Sequence, residues 1–260
     1  MVKIMNRTIV RAVKILEILS NNKEGTSLIE LSKTLEIPKS STHEIIQTLL
    51  KLKLAETNVY NPKLYVLGSK AFSIGSKYIS TNDIIHFGSH HLREVADKYN
   101  KTGFIGFLDD DKVVYVYKWQ SPQAKLASCD LGTRHPVYCT SLGKALLAYL
   151  PKDKSEEIIS KTEFVKKTEN TIMSPEKLME ELELTRRRGY SVDNREVENH
   201  VACYGAPVFD NYGNVVAAIS VSDLYNPDEI KNCQVGLDIR AAADKISSRL
   251  GFNPARRMIK

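Results

Sequence analysis

Cysteine is scarce in this chain of 260 residues. The four present (Cys129, Cys139, Cys203 and Cys233) are widely spread and form no C-x-x-C pair, which excludes a disulfide framework and a structural zinc knuckle. Long apolar runs are missing too. No stretch approaches the ~18 consecutive apolar residues that a membrane span needs, and no apolar segment follows the charged Met-Val-Lys-Ile-Met-Asn-Arg start, so neither a membrane partner nor a secretory signal is expected. The expectation is a cytoplasmic protein with reduced thiols. The sequence lacks G-x-x-x-x-G-K-[ST], G-x-G-x-x-G and H-E-x-x-H, leaving nucleotide hydrolysis, dinucleotide chemistry and zincin chemistry without a motif. It also lacks internal repeats and low-complexity segments. With 42% hydrophobic and 26% charged residues, the composition is that of a globular protein of about two domains.

Positive charge is unevenly distributed. The whole chain carries +6, and residues 1–67 hold eight Lys and two Arg against six Glu, or +4. A basic excess in a short N-terminal module suits a polyanion. The spacing of Ile9, Ala12, Val13, Leu16 and Leu19 predicts a helix over 8–20, capped by Thr8. Ser27 and Glu30 form a capping box for a second helix, striped by Leu28, Leu31 and Leu35. After Pro38 a third helix is expected, with Ile45, Ile46, Leu49 and Leu52 inward. Its opening turns carry Lys39, Ser40, Ser41, Thr42, His43 and Gln47. Residues 54–57 and 64–67 can pair as a hairpin. Two short helices, a brief turn and a hairpin make a winged helix-turn-helix. The alternative is a three-helix module that contacts protein; Lys39, Lys63 and the hydroxyls favour double-stranded DNA.

Residues 68–82 read as a linker helix. A firmer helix follows over 83–99, with Ile84, Phe87, His91, Leu92, Val95 and Ala96 on one side. His90 and His91 are adjacent, point about 100° apart on a helix, and are not expected to share a metal. Beyond residue 100 the pattern changes to strands: 104–108 and 113–117 around an Asp109–Lys112 turn, short strands at 126–131 and 135–140, and a hairpin of 204–209 with 215–222. Helices are expected at 143–150, 175–188 and 227–250. Strand meanders among separate helices give an α+β fold with an antiparallel sheet flanked by helices.

These residues resemble the IclR family of bacterial transcriptional regulators over nearly the whole chain. Arg11 to Leu16, Lys39-Ser40-Ser41-Thr42 and Tyr65-Val66-Leu67-Gly68 are similar to its winged helix-turn-helix. Thr140 to Ala148, Arg188 to Asn194 with Glu196, and Cys203 to Asp210 are similar to its second domain. The resemblance implies a DNA-binding domain over 1–67, the linker at 68–82 and a GAF-like effector-binding domain over 83–253. It implies DNA contacts from Arg11, Ser27, Lys39, Ser40, Ser41, Thr42, His43, Gln47, Lys63 and Tyr65. It implies effector contacts from Ser141, Leu142, Asp193, Cys203, Ser220 and Ser222, with a small organic acid, sugar acid or aromatic compound as effector. A palindromic operator, a homodimer or homotetramer, and no cofactor or metal complete the expectation. Ser220 and Ser222 lie two apart on a strand, so their hydroxyls share a face; they either meet a ligand or bond locally to backbone. Glu44 stands where the family often has Arg and can accept from cytosine N4 or cap the helix. Arg195 replaces an acidic residue and either faces an anionic effector or pairs with Glu196 or Glu198.

Two other readings compete. Ser141-Leu142-Gly143-Lys144 fits the S-x-x-K spacing of serine acyl-transfer enzymes, but the S-D-N companion is missing and the one K-T-G, Lys101-Thr102-Gly103, stands ahead of it in the chain. Cys203 is a conceivable redox thiol, or a metal ligand with His135, Cys139 or His200. A metabolite-binding module that acts through protein contacts is the alternative to a regulator.

Overall fold

The computed structural model describes residues 6–80, 82–126 and 129–253. The chain divides into two compact units between residues 81 and 82.

In the first unit, α1 (Arg7–Asn21), α2 (Leu28–Thr34) and α3 (Lys39–Lys51) enclose a core of Ile15, Leu19, Leu31, Ile37, Ile45, Ile46, Leu49 and Ala55. The first helix begins a residue earlier than its apolar spacing suggests, because the Asn6 side chain rather than Thr8 accepts from the Thr8 and Ile9 amides. The Ser27–Glu30 capping box forms in both directions. β2 (Ala55–Thr57) and β3 (Leu64–Leu67) make the wing. The short β1 (Thr26–Ser27) adds to the outer side of β3, giving the order β1-β3-β2. Leu52 is not inward. The helix ends at Lys51 and Leu52 is 55% exposed. The linker forms α4 (Ser69–Ser80); residue 81 of the expected helix lies outside the described residues. Its start is tied to the wing by Gly68 N–H to Leu54 O, Lys70 N–H to Lys53 O and Ser69 N–H to Glu56 Oε1.

The second unit opens with α5 (Asp83–Tyr99), capped by Asn82. Its inward face is Ile85, Gly88, Leu92, Val95 and Ala96, and Phe87 turns outward. Six strands follow: β4 (Thr102–Asp109), β5 (Lys112–Gln120), β6 (Arg134–Pro136), β7 (Ser191–Asn194), β8 (Val201–Phe209) and β9 (Val215–Leu224). They form one antiparallel sheet in the order β6-β5-β4-β9-β8-β7. Residues 127 and 128 of the expected strand at 126–131 lie outside the described residues; among the described ones no strand forms there, and the segment after them turns. Only Arg134–Pro136 of the next region is strand. Between β6 and β7 come α6 (Ser141–Leu147), α7 (Lys152–Lys161), which lacks a clear apolar stripe and was not expected, and α8 (Pro175–Arg188). The closing helix is two: α9 (Pro227–Asn232) and α10 (Gln234–Arg249), separated by Cys233 in a left-handed conformation at φ 59°.

Alternation along the strands assigns each face its own core. Ile105, Tyr204, Ala206, Val208, Ala217, Ile219 and Val221 meet α5 and α10. Phe104, Val113, Tyr115 and Ala218 meet α6 and α8. The α6 side needs Gly143, where an added Cβ would overlap the Val137 backbone. Gly143→Ala is therefore expected to destabilise the second unit by about 1–3 kcal/mol, as overpacking does. Gly75→Ala, on α4 with nothing within reach of the added methyl, is expected to stabilise by up to about 1 kcal/mol. Urea midpoints of the two variants against the parent chain check both signs.

Candidate functional site

In the first unit, α3 presents Lys39, Ser40, His43 and Glu44 to solvent, with Ser41 and Gln47 half-buried. The Gln47 amide nitrogen lies 3.4 Å from His43 Nε2, so the two side chains form one polar surface. Lys63 is exposed in the wing turn, where its amide donates to Asn61 Oδ1. Arg11 is half-buried on α1. Tyr65 packs against the core, and the Ser27 hydroxyl is engaged as the cap of α2. Thr42 departs from expectation. It is fully buried and its hydroxyl donates to Pro38 O at 3.1 Å, so it braces the start of α3 and cannot read a base. The wing tip displays Val59 and Tyr60 at 90% and 97% exposure, two side chains to which the sequence assigned no role. Glu44 is not the cap of α3, whose N-cap is Pro38 without a side-chain bond.

In the second unit, Ser141, Asp193, Cys203, Ser220 and Ser222 line one cavity, open to solvent. The strand register brings them together. Asp193 pairs with Cys203 and Cys203 with Ser222 across β7, β8 and β9, so the three side chains form a row on the α6 face. Cys203 Sγ donates to Ser222 Oγ at 3.3 Å, a cross-strand contact. Leu142, expected beside them, has its side chain in the α6 core. The rest of the wall was not anticipated: Phe104 and Tyr115 from β4 and β5, Thr140, Cys129, and Val197, Glu198 and Val201. His135 also lines it, stacked edge-on against Tyr115 at 5.0 Å. Burial pushes the Tyr115 phenol and the Cys203 thiol up and the His135 imidazole down. The wall is thus made of neutral hydroxyls, thiols and an imidazole, with carboxyl groups at Asp193 and Glu198.

Beneath it lies a buried charge cluster. The Lys144 ammonium, with 0% exposure, pairs with Glu196 Oε1 and donates to Val192 O at 2.5 Å. Glu196 N–H donates to Asp193 Oδ1 at 2.8 Å. Burial raises the Asp193 carboxyl to about 6 against the pull of Lys144. Burial likewise raises Glu196 to about 7, again opposed by Lys144 and reinforced by Asp193. With its ammonium held this way, Lys144 is engaged away from the Ser141 hydroxyl, and an acyl-transfer role has no free amine. Arg195 takes neither expected position: its guanidinium stacks on Tyr225 at 4.1 Å. His90 and His91 are less divergent than adjacency suggests, since both turn toward Glu94 at 3.3 Å and the group's ligand atoms lie within 4.8 Å of one another. These are ion pairs on the surface of α5. Cys139 is in the α6 core and His200 pairs with Glu198, so neither joins His135 and Cys203.

Among the described residues, no helix is long and apolar enough to cross a membrane. Residues 8–58 match the model of the IclR helix-turn-helix domain, and residues 76–248 that of the bacterial transcriptional regulator IclR C-terminal domain. The chain is 32% identical over 248 residues to the HTH-type transcriptional regulator KdgR of Escherichia coli K12, spanning 95% of this chain and 93% of that one. The crystal structure of Thermotoga maritima IclR aligns with a TM-score of 0.74 and 29% identity over 94% of this chain and 99% of that one. The fold is also that of an IclR homologue from Microbacterium hydrocarbonoxydans crystallised with 4-hydroxybenzoate (TM-score 0.79, 19% identity, 94% of this chain and 98% of that one).

The carboxyl of Asp193 has a pH signature. Its folded pKa of about 6 exceeds the ordinary 3.8, so the folded chain holds this proton more tightly than the unfolded one. Its contribution is neutral below about pH 4 and turns progressively unfavourable as pH rises through about 6. Asp193→Asn keeps the oxygen that accepts from Glu196 and removes the titration. The variant is expected to gain stability relative to the parent between pH 4 and pH 7, and to show no such gain below pH 4. Urea denaturation across that range measures it; a difference that is flat with pH contradicts the assignment.

Proposed function

The chain belongs to the IclR family of bacterial transcriptional regulators, and on that premise we propose which residues read DNA, which hold the effector and what the effector is. The protein is a ligand-responsive, DNA-binding transcriptional regulator with a helix-turn-helix domain and an effector-binding domain. In our reading it acts in the cytoplasm, has no enzymatic activity, and binds a palindromic operator as a homodimer or homotetramer, because one reading helix covers only a half-site. It controls a catabolic or metabolic operon.

Lys39 and Lys63 contact phosphate, and His43 and Gln47 face base edges from the exposed side of α3. Arg11, Ser27, Ser40, Ser41 and Tyr65 support the backbone contact. The effector occupies the cavity of Ser141, Asp193, Cys203, Ser220 and Ser222. The observation that carries this reading is the convergence of these five residues, from α6, β7, β8 and β9, on one cavity. Leu142 contributes through its position at the start of α6. The wall has neutral donors but no Lys or Arg, which favours a small acid that also carries hydroxyls. Its carboxylate takes bonds from Ser and Tyr hydroxyls, and a ligand hydroxyl donates to Asp193. Sugar acids and hydroxylated aromatic acids both meet that description. Binding biases the oligomer between arrangements that differ in DNA affinity.

Two measurements test the assignment. Lys39→Ala and Lys63→Ala are expected to weaken binding on all duplexes and to lower the salt slope by roughly 0.9 each. Substituting His43 or Gln47 is expected to change base preference by about 1–3 kcal/mol, whereas Thr42 variants lose stability without changing preference. Equal losses on operator and random DNA for His43 and Gln47 variants would move them to the backbone. For the effector, a calorimetric screen of sugar acids and hydroxybenzoates identifies a ligand. Ser220→Ala and Ser222→Ala are then expected to weaken it by about 1.5–3 kcal/mol, the range for bonds to a charged group, with effector-free operator binding unchanged. Unaltered affinity in both variants places the effector elsewhere.

A further inference from the structure

The alternation that sends Asp193 and Cys203 into the effector cavity sends their neighbours Asn194 and Tyr204 to the opposite face of the sheet. There they line a second cavity, between the end of α8, the β7 edge and the α9–α10 junction. Four buried polar atoms of the residues that line it have no protein partner: Arg188 Nε, Asn194 Oδ1, Glu196 Oε2 and Tyr204 OH. Glu196 and Tyr204 are only 5% and 2% exposed. Unpartnered polar atoms at such depth are costly, and four on residues around one space are groups that a ligand there would answer.

We propose that this cavity is a second ligand site, distinct from the effector cavity, that takes a small neutral polyhydroxylated molecule of triol to pentose size. The donor–acceptor pattern selects the class. Asn194 Oδ1 and the Glu196 carboxylate accept, Arg188 Nε donates, and the Tyr204 hydroxyl does either. A carboxylate ligand meets repulsion from Glu196 and from Glu181, which holds the Arg188 guanidinium at 2.5 Å. An ammonium leaves Arg188 Nε unanswered. Adjacent hydroxyls answer all four atoms. Glu196 is the link to the first cavity: its other oxygen holds Lys144, and its amide donates to Asp193. A ligand on Oε2 therefore alters the environment of Asp193, and the two sites are coupled reciprocally. The site itself does not rest on the effector reading; only this coupling does.

The test is direct binding of glycerol, xylitol and D-ribose to the full-length protein, by calorimetry and saturation-transfer NMR. At least one of the three is expected to bind saturably. Tyr204→Phe, which keeps the ring in the core, and Asn194→Val, which keeps a strand-compatible side chain, are each expected to weaken that binding about fivefold or more, the loss of one hydrogen bond. Ser222→Ala, in the other cavity, is expected to leave it unchanged. Absence of saturable binding by all three compounds would mean that water alone answers these atoms, and overturns the proposal. So does binding that Tyr204→Phe and Asn194→Val leave intact. Binding lost in Ser222→Ala but kept in Tyr204→Phe would put the polyol in the effector cavity, which overturns the second site while sparing the first.

Discussion

The second unit depends on one buried cation. An ammonium with no solvent exposure is unstable unless its charge is answered within the protein. Lys144 is answered by the Glu196 carboxylate and the Val192 carbonyl, and much of the local architecture follows. The chain after β7 must return Glu196 to the sheet edge, which it does through Arg195 in a left-handed conformation at φ 63°. That turn is secured from outside, where the Thr168 hydroxyl donates to Arg195 O at 2.6 Å and the Thr171 hydroxyl to Glu196 O at 2.7 Å. It is secured from inside by Glu196 N–H on Asp193. Gly143 lets α6 sit close enough to Val137 for Lys144 to reach the edge strand. Removing only one charge of such a pair is the damaging change, because it strands the other.

Two carboxyls share that one ammonium, and burial acts on both. Asp193 and Glu196 are raised toward neutrality while Lys144 pulls the other way. The cavity therefore borders a charge that is easily shifted, at Asp193 and the Glu196 beneath it. A thiol pushed up by burial is a poor nucleophile, so Cys203 serves as a packed polar group that donates to Ser222. The cavity offers neutral hydrogen-bonding groups and the carboxyls of Asp193 and Glu198.

Local features were legible in the sequence. Helix periodicity, the Ser27–Glu30 box, the wing and the 201–224 hairpin all follow from spacing within a few residues. The α+β class followed from their order. The cavity was half legible. Alternation put Ser220 and Ser222 on one face, but Phe104, Tyr115 and His135 join them only through the order β6-β5-β4-β9, and no short-range pattern encodes which strands become neighbours. Thr42 was readable and was misread: Thr42, Ile45, Ile46 and Leu49 stand at i, i+3, i+4 and i+7, so the threonine lies on the buried stripe. The break at Cys233 was not readable, since neither Gly nor Pro marks it and its left-handed conformation is imposed by packing.

The sheet separates cavity lining from core by parity. On β8 and β9 one set of side chains, Tyr204, Ala206, Val208, Ala217, Ile219 and Val221, belongs to the core under α5 and α10. The alternate set carries Cys203, Ser220 and Ser222. A substitution at Ser220 changes the cavity but leaves the facing side chains of Ile219 and Val221 against α10, because adjacent residues on a strand do not share a face. The cavity lining can therefore be altered at every second position with little effect on the opposite core. The exception is the β7 edge, where the same carboxylate of Glu196 borders both the Lys144 cluster and the space beside Tyr204. There the two faces are joined by a single side chain, and a change on one side reaches the other.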